Sequence, residues 1–267
     1  MEKRLIGRGL LAGAIGAVLA FVFARLCAEP VIARAIEFED GRTDAENAHG
    51  VHEHGAELFT RGVQANPGLG FGVLIFGIAM GALFAVVFCV VYARTAGRTE
   101  SPAPHQLSLL LAAGAFVAVY LVPFLKYPPN PPAVGQSDTI AARTGWYLLM
   151  VLVSVLLAIA AVWLAGRLAD RFGVWNGRLL AAGAYLVALV VVTELLPTVD
   201  ETPGPLRDAS GAIIYPGFPA DVLYEFRVLS LGTQLLLWVS IGLVFATLAG
   251  RLLGERAERG RVSSIAV

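Results

Sequence analysis

Six long apolar runs limit the folds open to this chain. A helix crosses the hydrocarbon core of a bilayer, about 30 Å thick, with roughly 20 residues. The runs reach about that length and lack the alternation of barrel strands, so helices alone can satisfy their backbone groups in lipid. They cover residues 8–28, 70–93, 107–125, 146–166, 178–197 and 229–250. We therefore predict an all-α polytopic membrane protein, a bundle of about six transmembrane helices with long extracytoplasmic loops.

The distribution of charge predicts the orientation of these spans. Of the 20 Lys and Arg residues, twelve fall on one side and seven on the other, with Arg25 inside the first span. The 20 Asp and Glu residues divide the other way, five against fourteen, with Glu194 inside the fifth span. Basic loops stay in the cytoplasm, which predicts an inner-membrane protein with both termini cytoplasmic. The first run is long for a cleaved signal sequence, and we expect it to be retained.

The predicted membrane domain covers residues 1–254, and a polar cytoplasmic tail follows at 255–267. Its outer loops are long and lie at residues 29–69, 126–145 and 198–228. The inner connections are shorter, about 13 and 11 residues. Most of the polar part of the chain therefore faces outward, where loops carry function most often.

Small residues recur at a spacing of four in the first two spans. Gly9 and Gly13 stand in the first span, and Gly77 and Gly81 stand in the second. Such spacing lets membrane helices approach each other closely. We interpret it as helix packing and not as a ligand site.

A histidine cluster occupies the first outer loop. Three of the four histidines in the chain fall within AHGVHEHGAE, residues 48–57. They are His49, His52 and His54, and the neighbouring carboxylates are Glu46, Glu53 and Glu57. Imidazole and carboxylate ligands suit divalent ions such as cobalt, nickel, zinc and copper(II). We expect a metal-collecting loop here; the alternative is a solvated polar loop whose histidines have no role.

An acidic stretch precedes the cluster. In EPVIARAIEFED, residues 29–40, Glu37 and Glu39 lie close together. Carboxylates repel each other when all are ionised, and a bound cation would relieve that repulsion. The alternative is an acidic surface that only faces water.

A proline-dense block, FLKYPPNPPAVG, covers residues 124–135 after the third span. Proline fixes φ and keeps the preceding residue extended, so the block is stiff and non-helical. Lys126 stands at the expected membrane boundary, and we expect it to lie on the path that the ion follows across the membrane. The block either lines an entrance to the helical bundle or simply joins two helices.

Arg25 and Glu194 are ionisable residues inside predicted spans, where such residues are rare. Both lie near the outer end of their span, and this similar depth predicts an ion pair on the transport pathway. The alternative is that both side chains reach the membrane interface separately.

Several classes of protein are excluded or disfavoured. No G-x-x-x-x-G-K-[ST] phosphate loop is present, so the chain does not hydrolyse nucleotide by that route. Four histidines are too few for a desaturase-like di-iron site and none lies inside a span for haem, so we do not predict an enzyme. The chain lacks a basic patch for nucleic acid.

The motifs together resemble one family, the predicted cobalt transporter subunits called CbtA. The resemblance runs from about residue 5 to about residue 253. It rests on PVIARAIEFED, the acidic histidine loop, PFLKYPPNPPAVG and ELLPTVDETP. The residues that match the family pattern are Glu37, Glu39, His49, His52 and His54 in the outer loop, and Lys126, Pro128, Asn130 and Pro131 in the proline block.

The resemblance implies a helical inner-membrane protein that supplies cobalt for cobalamin synthesis. It also implies a small single-span partner, CbtB, that carries a histidine motif. We expect an integral membrane subunit that takes up cobalt(II), or nickel(II) as the other candidate, with the divalent ion and membrane lipid as its contacts. The alternatives are a membrane assembly or scaffold protein, and a proton-coupled carrier of another substrate in which Glu194 carries the proton.

Overall fold

The computed structural model describes residues 2–49, 69–95 and 102–265, with side chains described for residues 2–49, 70–95 and 102–254. Its α-helices are α1 (Glu2–Phe23), α2 (Glu29–Ala48), α3 (Leu69–Thr95), α4 (Pro104–Ala115), α5 (Val122–Lys126), α6 (Ile140–Phe172), α7 (Val174–Leu195) and α8 (Ala220–Ile265). Between them lie two π-helical segments, Ala24–Ala28 and Phe116–Leu121, a 3₁₀ turn, Ser137–Thr139, and strands β1 (Leu206–Arg207) and β2 (Ile213–Tyr215). The all-α fold class is therefore confirmed.

Six helical stretches in the described residues are long and apolar enough to cross a membrane. They are Glu2–Ala48, Gly70–Thr95, Pro104–Lys126, Ser137–Phe172, Val174–Leu195 and Ala220–Gly254. These stretches correspond one to one with the predicted runs. Large apolar side chains stay exposed along them, including Val162 at 76% and Leu186 at 61%, as expected for surfaces that face lipid. The chain is a multi-pass membrane protein.

The first membrane helix continues past its predicted end. Pro30 lacks an N–H, and its ring would clash with the carbonyl four residues earlier in a regular α-helix. The π-helical segment Ala24–Ala28 precedes Pro30, and the Glu29 N–H donates to the Ala24 carbonyl five residues back. This wider turn accommodates the proline. Residues 29–48 of the predicted outer loop are thus helix α2.

By its internal contacts the chain divides into two compact units. Of the described residues, the first unit contains α1, α3, α4 and α8 from Leu229 onward. The second contains α2 from Pro30, the chain from Val117 through α7 and the two strands, and α8 up to Val228.

In the first unit, glycines let α1 and α3 pack at short range. A Cβ atom added to Gly77 would lie 2.6 Å from the Ala17 Cβ and 2.9 Å from the Gly13 carbonyl oxygen. A Cβ atom added to Gly81 would lie 2.7 Å from the Gly13 Cα. Any side chain larger than hydrogen would push the helices apart. The close approach predicted from the glycine spacing is confirmed.

In the second unit, the two strands are held against α2 by aromatic contacts. The strands pair as a short antiparallel hairpin. Phe38 of α2 is buried, and its ring lies 5.3 Å from that of Tyr215 and 4.9 Å from that of Phe218. The Tyr215 hydroxyl also donates to the Phe38 carbonyl at 3.3 Å. Through these contacts the hairpin is positioned beside α2.

Candidate functional site

His49 follows the last residue of α2 and is exposed. Its Nδ1 lies 2.8 Å from the Ala45 carbonyl oxygen. A carbonyl oxygen only accepts, so Nδ1 carries a proton, and in the neutral imidazole Nε2 then keeps its lone pair. Glu46 stands one turn before His49 and accepts a 3.0 Å hydrogen bond from the Arg42 Nε. Residues three apart share a helix face, so these two ligand types lie side by side.

Glu46 and His49 border a cavity of about 500 Å³ together with the hairpin. Its other lining residues are Leu206, Arg207, Asp208, Ala209, Ser210 and Ile214. Asp208 uses its carboxylate to hold the turn, accepting from the Ser210 hydroxyl at 2.6 Å and from the Ala212 N–H at 2.9 Å. The hydrogen bonds to Asp208 hold its pKa below its usual range, and the bond from the Ser210 hydroxyl has the largest effect. The cavity therefore combines one imidazole with two carboxylates, of which Asp208 holds the turn and Glu46 is paired with Arg42.

The remaining predicted ligands divide into two groups. Glu37 and Glu39 are exposed on α2. His52, Glu53, His54 and Glu57 lie outside the described residues. Within the described part of the chain, no three His, Cys, Asp or Glu side chains come together to hold a metal ion. The complete ligand set therefore stays a prediction.

The predicted pathway residues have distinct positions. Arg25 is half-buried in the π-helical segment that follows α1, and Glu194 is exposed at the penultimate position of α7. Their ion pair stays a prediction. Lys126 ends α5, so residues 124–126 at the start of the proline block are helical, contrary to the prediction, and residues 127–135 are not. The Lys126 Nζ lies 6.0 Å from the centre of the Tyr127 ring, within range of a weak cation–π contact.

A second cavity, of about 430 Å³, lies at the proline block, and we call it the proline-block cavity. Its lining residues are Tyr120, Phe124, Tyr127, Pro128, Pro129, Asn130, Val134, Ile140, Arg143, Thr144, Tyr147, Val199 and Arg227. Tyr120 belongs to the π-helical segment Phe116–Leu121, and such segments frequently occur at functional sites. The proline block was predictable from the sequence, but the two arginines of this cavity, Arg143 and Arg227, gave no local signal beyond their charge.

Hydrogen bonds around this cavity tie its segments together. The Tyr127 hydroxyl donates to the Pro197 carbonyl at 2.8 Å. Glu201 accepts the Gln136 N–H at 2.8 Å and lies 3.4 Å from the Arg143 guanidinium. Hydrogen bonds from Thr139 and Gln136, with the nearby charge of Arg143, hold the pKa of Glu201 below its usual range. Glu201 is therefore ionised at neutral pH and fixes the segment that follows the prolines.

Comparison with known proteins identifies the family. A family model described as a probable cobalt transporter subunit (CbtA) matches residues 2–250. No curated protein and no solved structure matches the chain. The matched range contains α2, the proline block and nearly all of the membrane-spanning sequence, and it confirms the resemblance inferred from the motifs. This chain therefore belongs to the CbtA family of probable cobalt transporter subunits.

Proposed function

We propose that this chain is the membrane subunit of a cobalt(II) uptake system and that its outer loop collects the ion. The imidazoles of His49, His52 and His54 would bind the ion first. The supporting carboxylates would be Glu37, Glu39, Glu46 and Glu53. The family match supports a transport subunit over an enzyme, and it names cobalt and not nickel.

The observation that carries the collecting role is the orientation of His49. Metal-binding histidines usually donate one ring N–H to a carbonyl or carboxylate, which fixes the tautomer and directs the other nitrogen to the metal. The Ala45 carbonyl has this relation to the His49 Nδ1, at 2.8 Å. Nε2 is thus available as a ligand, beside the carboxylate of Glu46. The next two histidines follow within five residues of His49.

The charge of α2 supports the same role. This helix carries six acidic residues and two basic ones between Glu29 and Ala48. A surface with an excess of one charge raises the local concentration of ions of the opposite charge. Cations near α2 would therefore be concentrated beside the histidine cluster.

The orientation and the partner belong to the same proposal. The charge asymmetry supports an inner-membrane protein with both termini cytoplasmic, and in that orientation the histidine loop would lie outside. From the collecting loop, the ion would pass Lys126 and the Arg25 and Glu194 pair on its way through the bundle. A small single-span subunit of the CbtB type, with its own histidines, would complete the transporter.

Isothermal titration of cobalt chloride into the purified full chain tests the collecting site. We expect saturable binding to the wild type and no saturable binding to the triple variant His49→Ala, His52→Ala, His54→Ala. The matched control is His105→Ala, because His105 is the one histidine outside the cluster and is exposed near the start of α4. This control should bind cobalt as the wild type does. Equal binding by the triple variant would instead favour an assembly or scaffold protein.

Uptake of labelled cobalt by cells tests the transport role separately. Cells that express the chain with its single-span partner should accumulate more cobalt than cells that express the triple variant with the same partner. Unlabelled nickel in excess should leave most of the cobalt uptake intact. Uptake that is the same with and without the chain would contradict a transport function.

A further inference from the structure

The proline-block cavity has a lining that is unsuited to a bare metal cation. Among the described residues that border it, none is Asp, Glu, His or Cys. The polar groups that line it include the Arg143 and Arg227 guanidiniums, the Asn130 amide and the Thr144 hydroxyl. Divalent cations prefer oxygen, imidazole or thiolate ligands. Guanidinium groups repel cations and match oxyanions in shape and charge.

Arg227 lies in the cavity wall without a carboxylate as its hydrogen-bond partner. Its guanidinium donates to the Asn130 side-chain oxygen at 3.0 Å, which is a neutral acceptor. Its Nε is buried and has no hydrogen-bond partner among the described residues. A buried donor of a charged group is costly to leave unpaired. The arrangement therefore suits an acceptor that carries negative charge.

Arg143 is only partly satisfied by the protein. One terminal nitrogen lies 3.4 Å from Glu201, and the other donates to the Gln136 carbonyl at 3.3 Å. Its Nε is also buried without a partner among the described residues. Asp200 and Glu201 offset part of the positive charge, but neither lines the cavity. Two guanidiniums thus border a space that no carboxylate in the described residues enters.

The backbone and the aromatic residues around the proline-block cavity shape its wall. Gly135 has a φ of +125°, and a Cβ atom added there would lie 2.8 Å from the Arg143 Cζ. The last residue of the proline block thus makes room for this guanidinium. Tyr120, in the π-helical segment, and Tyr147 of α6 add aromatic rings to the wall. A small organic anion or an anionic head group would find both charge and apolar contact here.

We propose that the proline-block cavity binds an oxyanion, a carboxylate or phosphate group, between the guanidiniums of Arg143 and Arg227. The ligand is either a soluble anion or the head group of an anionic lipid, since both present the same chemistry. The site is distinct from the histidine loop and does not depend on it. A cobalt transport subunit with such a site would respond to an anion as well as to its metal.

Titration of the purified full chain with inorganic phosphate and, separately, with citrate tests the soluble source. Thermal unfolding with added phosphatidylglycerol or phosphatidylcholine tests the lipid source. We expect saturable binding of at least one soluble anion, or a rise in unfolding temperature with phosphatidylglycerol alone. Arg227→Gln should weaken binding of the ligand that gave a response by at least about tenfold, because charge-assisted hydrogen bonds are lost.

Asn130→Asp is the second variant, and it keeps the shape of the cavity. The new carboxylate would pair with Arg227 and compete with the anion, so anion binding should be lost while the protein stays folded. Arg171→Gln is the matched control, since Arg171 is exposed near the end of α6 and borders neither cavity. It should behave as the wild type does.

Either of two results would overturn the proposal. One is the absence of any response to phosphate, citrate or phosphatidylglycerol in the wild type. The other is a response that is unchanged in Arg227→Gln and Asn130→Asp. Cobalt titration of Arg227→Gln should match the wild type, so failure at the anion site and failure at the histidine site are distinguishable.

Discussion

Replacement of Gly81 by alanine tests the packing of α1 against α3. An added Cβ atom would meet backbone atoms of α1, with the Gly13 Cα at 2.7 Å and the Gly13 nitrogen at 2.8 Å. Non-bonded heavy atoms rest at about 3.5–4.0 Å. Backbone atoms cannot rotate away as a side chain does, so the two helices must separate by roughly 1 Å.

The cost follows from this displacement. Overpacking of a closely packed interface costs about 1–3 kcal/mol, and a clash with backbone belongs at the upper end. Alanine regains about 1 kcal/mol over glycine inside a helix. The net loss for Gly81→Ala is therefore about 2 kcal/mol. In a chain of this size, that loss corresponds to a drop in unfolding temperature of roughly 4–8 °C.

Thermal unfolding of the purified variants in detergent measures this loss. The matched control is Gly72→Ala in the same helix, because a Cβ atom there meets no atom within 4 Å. Gly72→Ala should unfold at or slightly above the wild-type temperature. If Gly81→Ala unfolds at the same temperature as Gly72→Ala or at a higher one, the reasoning from the helix crossing is refuted.

Glu201 and the orientation of the loops give two further predictions. The folded pKa of Glu201 is depressed, chiefly by the Thr139 hydrogen bond, so its stabilising effect is complete above the ordinary value of about 4.3 and is lost as pH falls through the lower folded pKa. When the pH is lowered through this range, the unfolding temperature of Glu201→Gln should therefore fall less than that of the wild type. For the orientation, a membrane-impermeant maleimide should label Ala212→Cys in spheroplasts and Asn176→Cys only after permeabilisation.

Controls make both predictions decisive. Asp170→Asn removes an exposed carboxylate from α6 and should keep the acid-side decline of the wild type; the same decline in Glu201→Gln would contradict the role given to Glu201. The labelling variants need a background in which Cys27 and Cys89 are replaced by serine. Labelling of Ala212→Cys only after permeabilisation would reverse the orientation.

The membrane spans could be predicted from sequence because bilayer thickness sets their length. Apolar runs mark where lipid begins and ends, but helical hydrogen bonding continues beyond them. Residues 29–48 are polar and form α2, and α6 begins at Ile140, six residues before its predicted span. Hydropathy alone does not distinguish a polar helix from a polar loop.

The candidate sites could be predicted only where their residues are close in sequence. Glu46 and His49 stand one helical turn apart and line the same cavity. Arg227 contacts Asn130 across 97 residues of sequence, and no local pattern indicates such a contact. The short hairpin also depends on the turn that Asp208 holds by hydrogen bonds. The mixed polarity of this loop gives no pattern that predicts the turn. The density of prolines indicated the segment that lines the cavity. The chemistry of the cavity depends on contacts between residues far apart in the sequence.

A single residue, Gly173, connects α6 and α7, and this has a consequence for biogenesis. Gly173 has a φ of +80°, which glycine adopts without strain. Its N–H donates to the Ala169 carbonyl at 3.0 Å, and its own carbonyl accepts from the Gly177 N–H at 2.9 Å. A link of one residue is too short for one of the two helices to be inserted in the membrane while the other is still outside it. We expect both helices to leave the translocation machinery together, as one preformed hairpin.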